Sequence, residues 1–76
     1  MDRQGDVIEF RIEKHLAMLG EGKGGWKTEL NLVSWNNREP KYDLRAWDPE
    51  HKKMGKGITL NSIEATRLRD ALSACL

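Results

Sequence analysis

The chain is poor in the features that mark secreted, membrane-spanning and disulfide-stabilised proteins. Its 76 residues include a single cysteine, Cys75, so no internal disulfide can form, which fits a reducing compartment. No apolar run approaches the ~18–20 residues that span a bilayer. The acidic, mixed N-terminus is typical of neither a signal peptide nor a transit peptide. We therefore expect a soluble cytoplasmic protein with no membrane partner.

Residues that could catalyse a reaction or hold a metal are also few. The candidate acids and bases are Asp43, Asp48, Glu50 and His51. None of them has a nucleophile or a metal ligand at a suitable spacing, and His15 and Cys75 do not complete a metal-site pattern with His51. The sequence therefore predicts neither an enzyme nor a protein that requires a metal or another cofactor.

A glycine-dense segment, residues 20–25, invites comparison with phosphate-binding loops. A P-loop requires Gly-Lys-Ser/Thr at the start of a helix, whereas Gly-Trp-Lys follows here and a strand comes next. The segment instead favours a flexible hairpin loop. Lys23 within it remains a candidate phosphate contact.

The formal charge is nearly balanced at +1, but it is unevenly distributed along the chain. Lys and Arg number three against five Asp and Glu in residues 1–22, eight against five in residues 23–56, and two against two in residues 57–76. All three tryptophans lie in the positive middle segment. Local positive charge beside aromatic rings is typical of a surface that binds a polyanion.

Alternating side chains predict a hairpin in this middle segment. In Lys41–Trp47, one face carries Tyr42, Leu44 and Ala46, and the other carries Lys41, Asp43, Arg45 and Trp47. The strand Trp26–Trp35 alternates likewise, and the turn Asn36–Pro40 joins the two strands. We expect Trp35 and Trp47 to share an outward face with Lys27, Lys41 and Arg45. The competing interpretation is that a helix or a partner subunit covers this face and that the tryptophans belong to the core.

The remaining segments predict two more strands and a helix. Alternation over Val7–Leu19 indicates a strand bent near Lys14 and His15, with a helix over His15–Leu19 as the alternative. After a polar loop that begins at Asp48, Gly57–Leu60 is a short strand. Asn61 and Glu64 form a capping-box pattern before an amphipathic helix from Ser62 to about Cys75.

This order of elements predicts an α+β fold in one domain, residues 1–76, of which residues 1–6 form a flexible terminus. One sheet with one helix leaves apolar surface uncovered in a chain of this size. We therefore expect a homodimer.

Three segments carry a joint pattern that covers almost the entire chain. They are Gly25-Trp-Lys-Thr-Glu-Leu-Asn31 with Val33-Ser-Trp35, Lys41-Tyr-Asp-Leu-Arg-Ala-Trp-Asp-Pro-Glu50, and Met54-Gly-Lys-Gly-Ile-Thr-Leu60. Together they resemble the single-stranded-DNA-binding domain of the transcriptional positive cofactor four family, most closely its small bacterial YdbC-like members. The chain lacks the long serine-rich arm of eukaryotic members, so the resemblance does not extend to their coactivator role.

The resemblance implies a curved four-stranded antiparallel sheet with a C-terminal helix, dimerised in part through that helix. It also implies that Trp35 and Trp47 stack on bases and that Lys27, Arg38, Lys41, Arg45 and Lys56 contact phosphates or base edges. With Lys23, Trp26 of the positive segment and Lys53 of the polar loop, which could contact a phosphate, the candidate nucleic-acid-binding residues are Lys23, Trp26, Lys27, Trp35, Arg38, Lys41, Arg45, Trp47, Lys53 and Lys56.

Two functions fit these observations. The first is binding of single-stranded DNA or RNA with little sequence specificity, in transcription, replication or repair, by a cytoplasmic or nucleoid-associated homodimer. The second is a protein-interaction module that uses the same aromatic and basic face, since tryptophan and arginine are frequent at binding hot spots.

Overall fold

The computed structural model of the protein describes residues 8–76 and contains four strands followed by one helix. The strands are β1 (Phe10–Glu21), β2 (Lys27–Trp35), β3 (Lys41–Trp47) and β4 (Met54–Leu60), and the helix is α1 (Ser62–Cys75). They form one antiparallel sheet of order β1-β2-β3-β4, which confirms the predicted architecture. The flexible terminus expected at residues 1–6, and Val7 of the first predicted strand, lie outside the described residues.

The first strand is more irregular than the single predicted bend. Its pairing with β2 shifts register at three places: Ile12/Lys14, His15/Ala17 and Met18/Gly20. Each shift bends the strand and increases its twist, because the extra residue has no partner opposite it. The alternative helix over His15–Leu19 is wrong, since this segment pairs with β2.

The connections between strands differ in their bounds from those predicted, since Gly20 and Glu21 still belong to β1. A short helical turn, Lys23–Gly25, joins β1 to β2, and the Gly22 amide donates to the Trp26 carbonyl over 2.7 Å. Gly24 and Gly25 have φ of 66° and 81°, a conformation that favours glycine. β4 begins three residues earlier than predicted, because a register shift after Arg45 lets Met54 pair with Trp47.

The register of the central strands fixes two faces of the sheet. One side carries the pairs Lys27/Trp47, Glu29/Arg45, Asn31/Asp43 and Val33/Lys41, and also Trp35 opposite Phe10. We call this side the aromatic face. The other side, with the pairs Leu30/Leu44, Leu32/Tyr42 and Tyr42/Leu60, is called the helix face. The prediction that Trp35 and Trp47 share a face with Lys27, Lys41 and Arg45 is confirmed.

The aromatic face is the interior of the described chain, and its predicted outward exposure was wrong. Trp47 is 0% exposed, and Val33, Asn31 and Asp43 are equally buried. On the helix face, in contrast, the side chain of Ile58 remains 55% exposed. The physical reason is curvature, because the bent β1 brings Phe10 over the far end of β3, where it contacts Trp47.

The helix covers one end of the helix face. Asn61 caps it: its side chain accepts from the Glu64 amide over 2.8 Å, and the Glu64 carboxylate accepts from the Asn61 amide over 3.0 Å. This confirms the predicted capping box. Apolar side chains of α1 and the sheet border a groove between them, lined in part by Leu30, Leu60 and Leu72. Within residues 8–76, no helix has the length and apolarity to cross a membrane.

We expect Gly57→Ala to destabilise the fold by about 1–3 kcal/mol, because a methyl group there would overlap atoms that cannot easily move. Gly57 lies opposite Arg45, and a Cβ at this position would collide with the Arg45 Cβ and the Leu44 carbonyl oxygen. Urea denaturation followed by tryptophan fluorescence measures the change.

The matched control is Gly20→Ala in β1, where an added Cβ meets nothing within 4 Å. This variant should unfold within about 0.5 kcal/mol of the parent. Equal destabilisation by the two substitutions would show that loss of glycine itself, rather than the contact with Arg45, is responsible.

Candidate nucleic-acid interface

An open groove on the aromatic face joins aromatic rings to cationic side chains. Its volume is about 680 Å³, and its lining includes Phe10, Trp35, Arg38, Lys41, Arg45 and Lys52. These residues come from β1, β2, β3 and two connections, which the sheet and its curvature bring together. Glu39 also borders the groove and offsets one positive charge.

Trp35 presents the accessible aromatic surface of this groove. Its side chain is half-buried, with the Phe10 ring 6.1 Å away at a tilt of 49° and the Arg45 guanidinium carbon 4.9 Å from the indole centroid. A guanidinium over an indole is favourable because the ring face is electron-rich. The predicted site residue Trp35 thus borders the groove with part of its side chain exposed.

Trp47 occupies a different environment from the one predicted. Its ring contacts Phe10 at 5.1 Å and His51 at 5.7 Å between centroids, and the side chain is fully buried. It is covered by β1 and by the β3–β4 loop, not by α1. The expectation that it lies open to solvent was wrong, since alternation along β3 shows which side Trp47 is on but not what covers that side.

Neither indole N–H contributes a hydrogen bond to this cluster. Within residues 8–76, Trp35 Nε1 and Trp47 Nε1 are buried and have no acceptor. A buried donor without an acceptor costs about 1–3 kcal/mol. The cluster is therefore held by ring contacts and by the polar groups around it.

Arg45 is held inside the groove by a buried ion pair. Its Nε and Nη2 donate to the two carboxylate oxygens of Asp43 over 2.6 and 2.8 Å, and its Nη1 donates to the Gly55 carbonyl over 3.3 Å. The Thr59 hydroxyl donates to the same carboxylate over 2.9 Å. Asp43 is 0% exposed and Arg45 is 13% exposed.

The other predicted cations divide into two groups. Arg38 and Lys41 line the groove with Trp35. The other predicted residues lie outside the groove lining. Lys27 is exposed and pairs with Trp47 across the strands, and Lys23 and Trp26 belong to the β1–β2 connection. Lys53 is exposed in the β3–β4 loop, and Lys56 is exposed in β4. The structure brings together Trp35, Arg38, Lys41 and Arg45 from the predicted set.

The predicted set lacks the aromatic residue Phe10 and the cation Lys52, which also line the groove. Phe10 lies in the alternating pattern of the first strand, and nothing local indicates that its side chain faces Trp35. The pairing of Phe10 with Trp35 across β1 and β2 is the signal that would have identified Phe10 as a groove residue. Lys52 belongs to a loop whose lysines could contact phosphates, but a run of loop charges is more often solvated, so the candidate set omits it. Its position follows from the loop, where the Asp48 carboxylate accepts from the Lys52 and Lys53 amides over 2.7 Å each.

These amide contacts also explain the acidity of Asp48. The hydrogen bond from the Lys53 amide is the largest influence, and with the other loop amides it lowers the pKa of the carboxyl below its ordinary value of 3.8. The carboxylate is therefore ionised at neutral pH and holds the loop in one conformation.

A polar cluster under Trp47 connects this loop to the sheet. The buried Glu29 carboxylate lies 3.0 Å from His51 Nε2 and accepts a 3.0 Å hydrogen bond from Asn31 Nδ2. His15 Nδ1 lies 2.8 Å from Asn31 Oδ1. Burial raises the pKa of Glu29, but the hydrogen bonds from Asn31 and His51 and the charges of both histidines outweigh it, so the pKa lies below 4.5. Across residues 8–76, no three His, Cys, Asp or Glu side chains are arranged to hold a metal ion.

Comparison with known proteins gives two matches. A family model described as transcriptional coactivator p15 (PC4) matches residues 23–71, which include β2, β3, β4 and most of α1. An uncharacterized protein of Treponema pallidum (strain Nichols) is 42% identical over 69 residues, which cover 91% of this chain and 81% of the relative. Of the groove residues, Trp35, Arg38, Lys41, Arg45 and Lys52 lie within the segment that the family model matches.

We expect Glu29→Gln to make the fold less sensitive to acid. Because the native pKa of Glu29 is below the unfolded value, its ionisation stabilises the native state above about pH 4.5, and this contribution is lost as the pH falls through the native pKa. The difference in unfolding free energy between parent and variant should therefore be present above about pH 4.5 and shrink as the pH falls below that value. Urea denaturation at several pH values measures it.

Glu50→Gln is the control, since this exposed carboxylate has a 3.5 Å contact with the exposed Lys52. Its effect should stay within about 0.5 kcal/mol at each pH. A pH-independent effect of Glu29→Gln would contradict the assignment of acid sensitivity to this cluster.

Proposed function

The chain belongs to the transcriptional coactivator p15 (PC4) family, whose members bind nucleic acid, and on this premise we propose that it binds single-stranded DNA. The observation that carries the proposal is the groove in which Trp35 and Phe10 adjoin Arg38, Lys41 and Lys52. Aromatic rings accept unpaired bases by stacking, and cations beside them contact the phosphates. Processes that expose single strands, such as transcription, replication or repair, would supply the ligand.

The residues of the groove have different roles in the proposed binding. Trp35 stacks on a base and Phe10 extends the aromatic surface. The exposed cations Arg38, Lys41 and Lys52 contact the backbone, whereas Arg45 is paired with Asp43. Trp47 supports the groove from within, since its buried ring has no surface left for a base. Lys23, Trp26, Lys27, Lys53 and Lys56 are candidates for contacts with a longer strand that leaves the groove.

These roles imply how the binding affinity depends on the type of nucleic acid and on the salt concentration. Stacking contributes on the order of 1–3 kcal/mol per base and needs little sequence information. Three phosphate contacts give a slope of log affinity against log salt of about −2, at about −0.7 per contact on single strands. Duplex DNA should bind more weakly, because its bases are already stacked on one another.

We also propose that the protein is a homodimer joined through the helix face. Ile58 of β4 is 55% exposed, and Leu68 and Leu72 of the helix are exposed as well. Burying such apolar side chains against a second copy is favourable, since about 25 cal/mol is gained per Å² of apolar surface removed from water. A dimer would also place two grooves in one particle.

Trp35→Ala should weaken binding to a labelled oligo-dT of about twenty nucleotides by roughly 1–3 kcal/mol at constant salt, because a stacking surface is lost. Lys41→Ala should instead reduce the salt slope by about 0.7, because one phosphate contact is lost. Fluorescence anisotropy at several salt concentrations measures both effects.

Arg67→Ala is the control, since Arg67 is exposed on α1, away from the groove. It should leave the affinity and the salt slope unchanged. Failure of the parent protein to bind single strands would contradict the proposal. The aromatic groove would then be assigned to a protein partner, the other function that its tryptophan and arginine favour.

Leu72→Asp should shift the protein from dimer towards monomer, because a carboxylate cannot be buried in an apolar interface without a partner. Sedimentation velocity distinguishes a particle of twice 8.7 kDa from a single chain. Ala74→Asp adds the same charge on the helix side that carries Arg67 and Asp70, and should leave the dimer intact. A monomeric parent protein would contradict the dimer without affecting the proposed groove.

A further inference from the structure

Arg45 has almost no hydrogen-bonding capacity left for a ligand. A guanidinium has five N–H donors in a rigid plane. In Arg45, Nε and Nη2 contact Asp43, and Nη1 contacts the Gly55 carbonyl at 3.3 Å and the Met54 sulfur at 3.5 Å. Both edges of its plane are therefore engaged within the protein. The other cations of the groove, Arg38, Lys41 and Lys52, are exposed.

The charge of Arg45 is also neutralised where it lies. The Asp43 carboxylate is 2.6 Å away and fully buried. If Arg45 turned out towards a phosphate, this buried carboxylate would lose its cation, which is strongly unfavourable. The Thr59 hydroxyl holds the carboxylate from a neighbouring strand, so Asp43 is fixed as well. The pair is a rigid unit of β3 and β4.

The indole of Trp35 packs against the planar face of the Arg45 guanidinium. The Arg45 guanidinium carbon lies 4.9 Å from the indole centroid, while Phe10 approaches the same indole at a tilt. Gly57, which has no side chain to occupy this space, lets Arg45 lie flat against the sheet. The orientation of the indole is thus set by a planar cation whose own position is fixed by hydrogen bonds.

We propose that Arg45, held by Asp43, is a positioning residue for Trp35 and not a phosphate ligand. The inference rests on the proposed function and assigns Arg45 a role within it. Arg45 keeps the indole oriented for stacking before the strand arrives, so less conformational freedom is lost on binding. A lysine at this position would keep the charge but lose the planar, doubly hydrogen-bonded geometry.

A double-mutant cycle tests the proposal through binding. Arg45→Lys should weaken oligo-dT binding by about three- to thirty-fold, because part of the affinity that one stacked base contributes is lost. In a Trp35→Ala background the same substitution should have no further effect, because the residue it positions is gone. If Arg45 contacted phosphate directly, Arg45→Lys would have a small effect, equal in both backgrounds. Equal effects in the two backgrounds would overturn the proposal.

A second measurement does not depend on the ligand. NMR relaxation of the Trp35 indole N–H in the unbound protein should show larger-amplitude motion in Arg45→Lys than in the parent. Thr59→Val, which removes a single hydrogen bond to Asp43, provides the same comparison if Arg45→Lys does not fold. The Trp47 indole is the internal control and should not change.

The two measurements separate failure of this inference from failure of the proposed function. Unchanged motion of the Trp35 indole overturns the positioning role, whatever the affinity for oligo-dT. Increased motion together with no binding by the parent protein supports the positioning role and overturns single-strand binding. Increased motion together with a non-additive cycle supports both.

Discussion

The curvature of the sheet decides which of its two faces becomes the interior. A small chain with one sheet and one helix cannot cover both faces with helices, so one face has to be closed by other means. Here the bulged β1 bends over the aromatic face, and Phe10 meets Trp47 across the sheet. The burial of Trp47, the position of the groove and the exposure of the helix face all depend on this bend.

An interior closed in this way is unusually polar, and its charges are therefore paired. Asp43 has Arg45 and Thr59, and Glu29 has Asn31 and His51. A buried ion pair stabilises a fold little in net terms, because desolvation opposes the attraction, but separating its partners is costly. Such pairs define one arrangement of the side chains around the aromatic rings. A binding surface benefits from this rigidity more than the stability of the fold does.

The ion pair between Arg45 and Asp43 also lowers the net positive charge of the groove. Four cations line the groove, Arg38, Lys41, Arg45 and Lys52, yet Arg45 is neutralised by Asp43 and Glu39 borders the groove. The electrostatic attraction that remains comes from a few exposed side chains and is screened by salt. Aromatic contact is thus the larger part of the proposed recognition, which accounts for a nucleic-acid-binding chain that is nearly neutral overall.

The sequence by itself determined the type and order of the elements and, in the two central strands, the side of the sheet on which each residue lies. Alternation placed Trp35, Trp47 and Arg45 on one face, and Asn61 and Glu64 marked the start of the helix, because these signals are local. Only the tertiary structure decided that this face is the interior, that Arg45 is bound to Asp43, and that Phe10 and Lys52 join the groove. The reason is that the curvature arises from bulges in the pairing of β1 with β2. These bulges depend on which residues of the two strands lie opposite each other, and no local pattern in the sequence shows this.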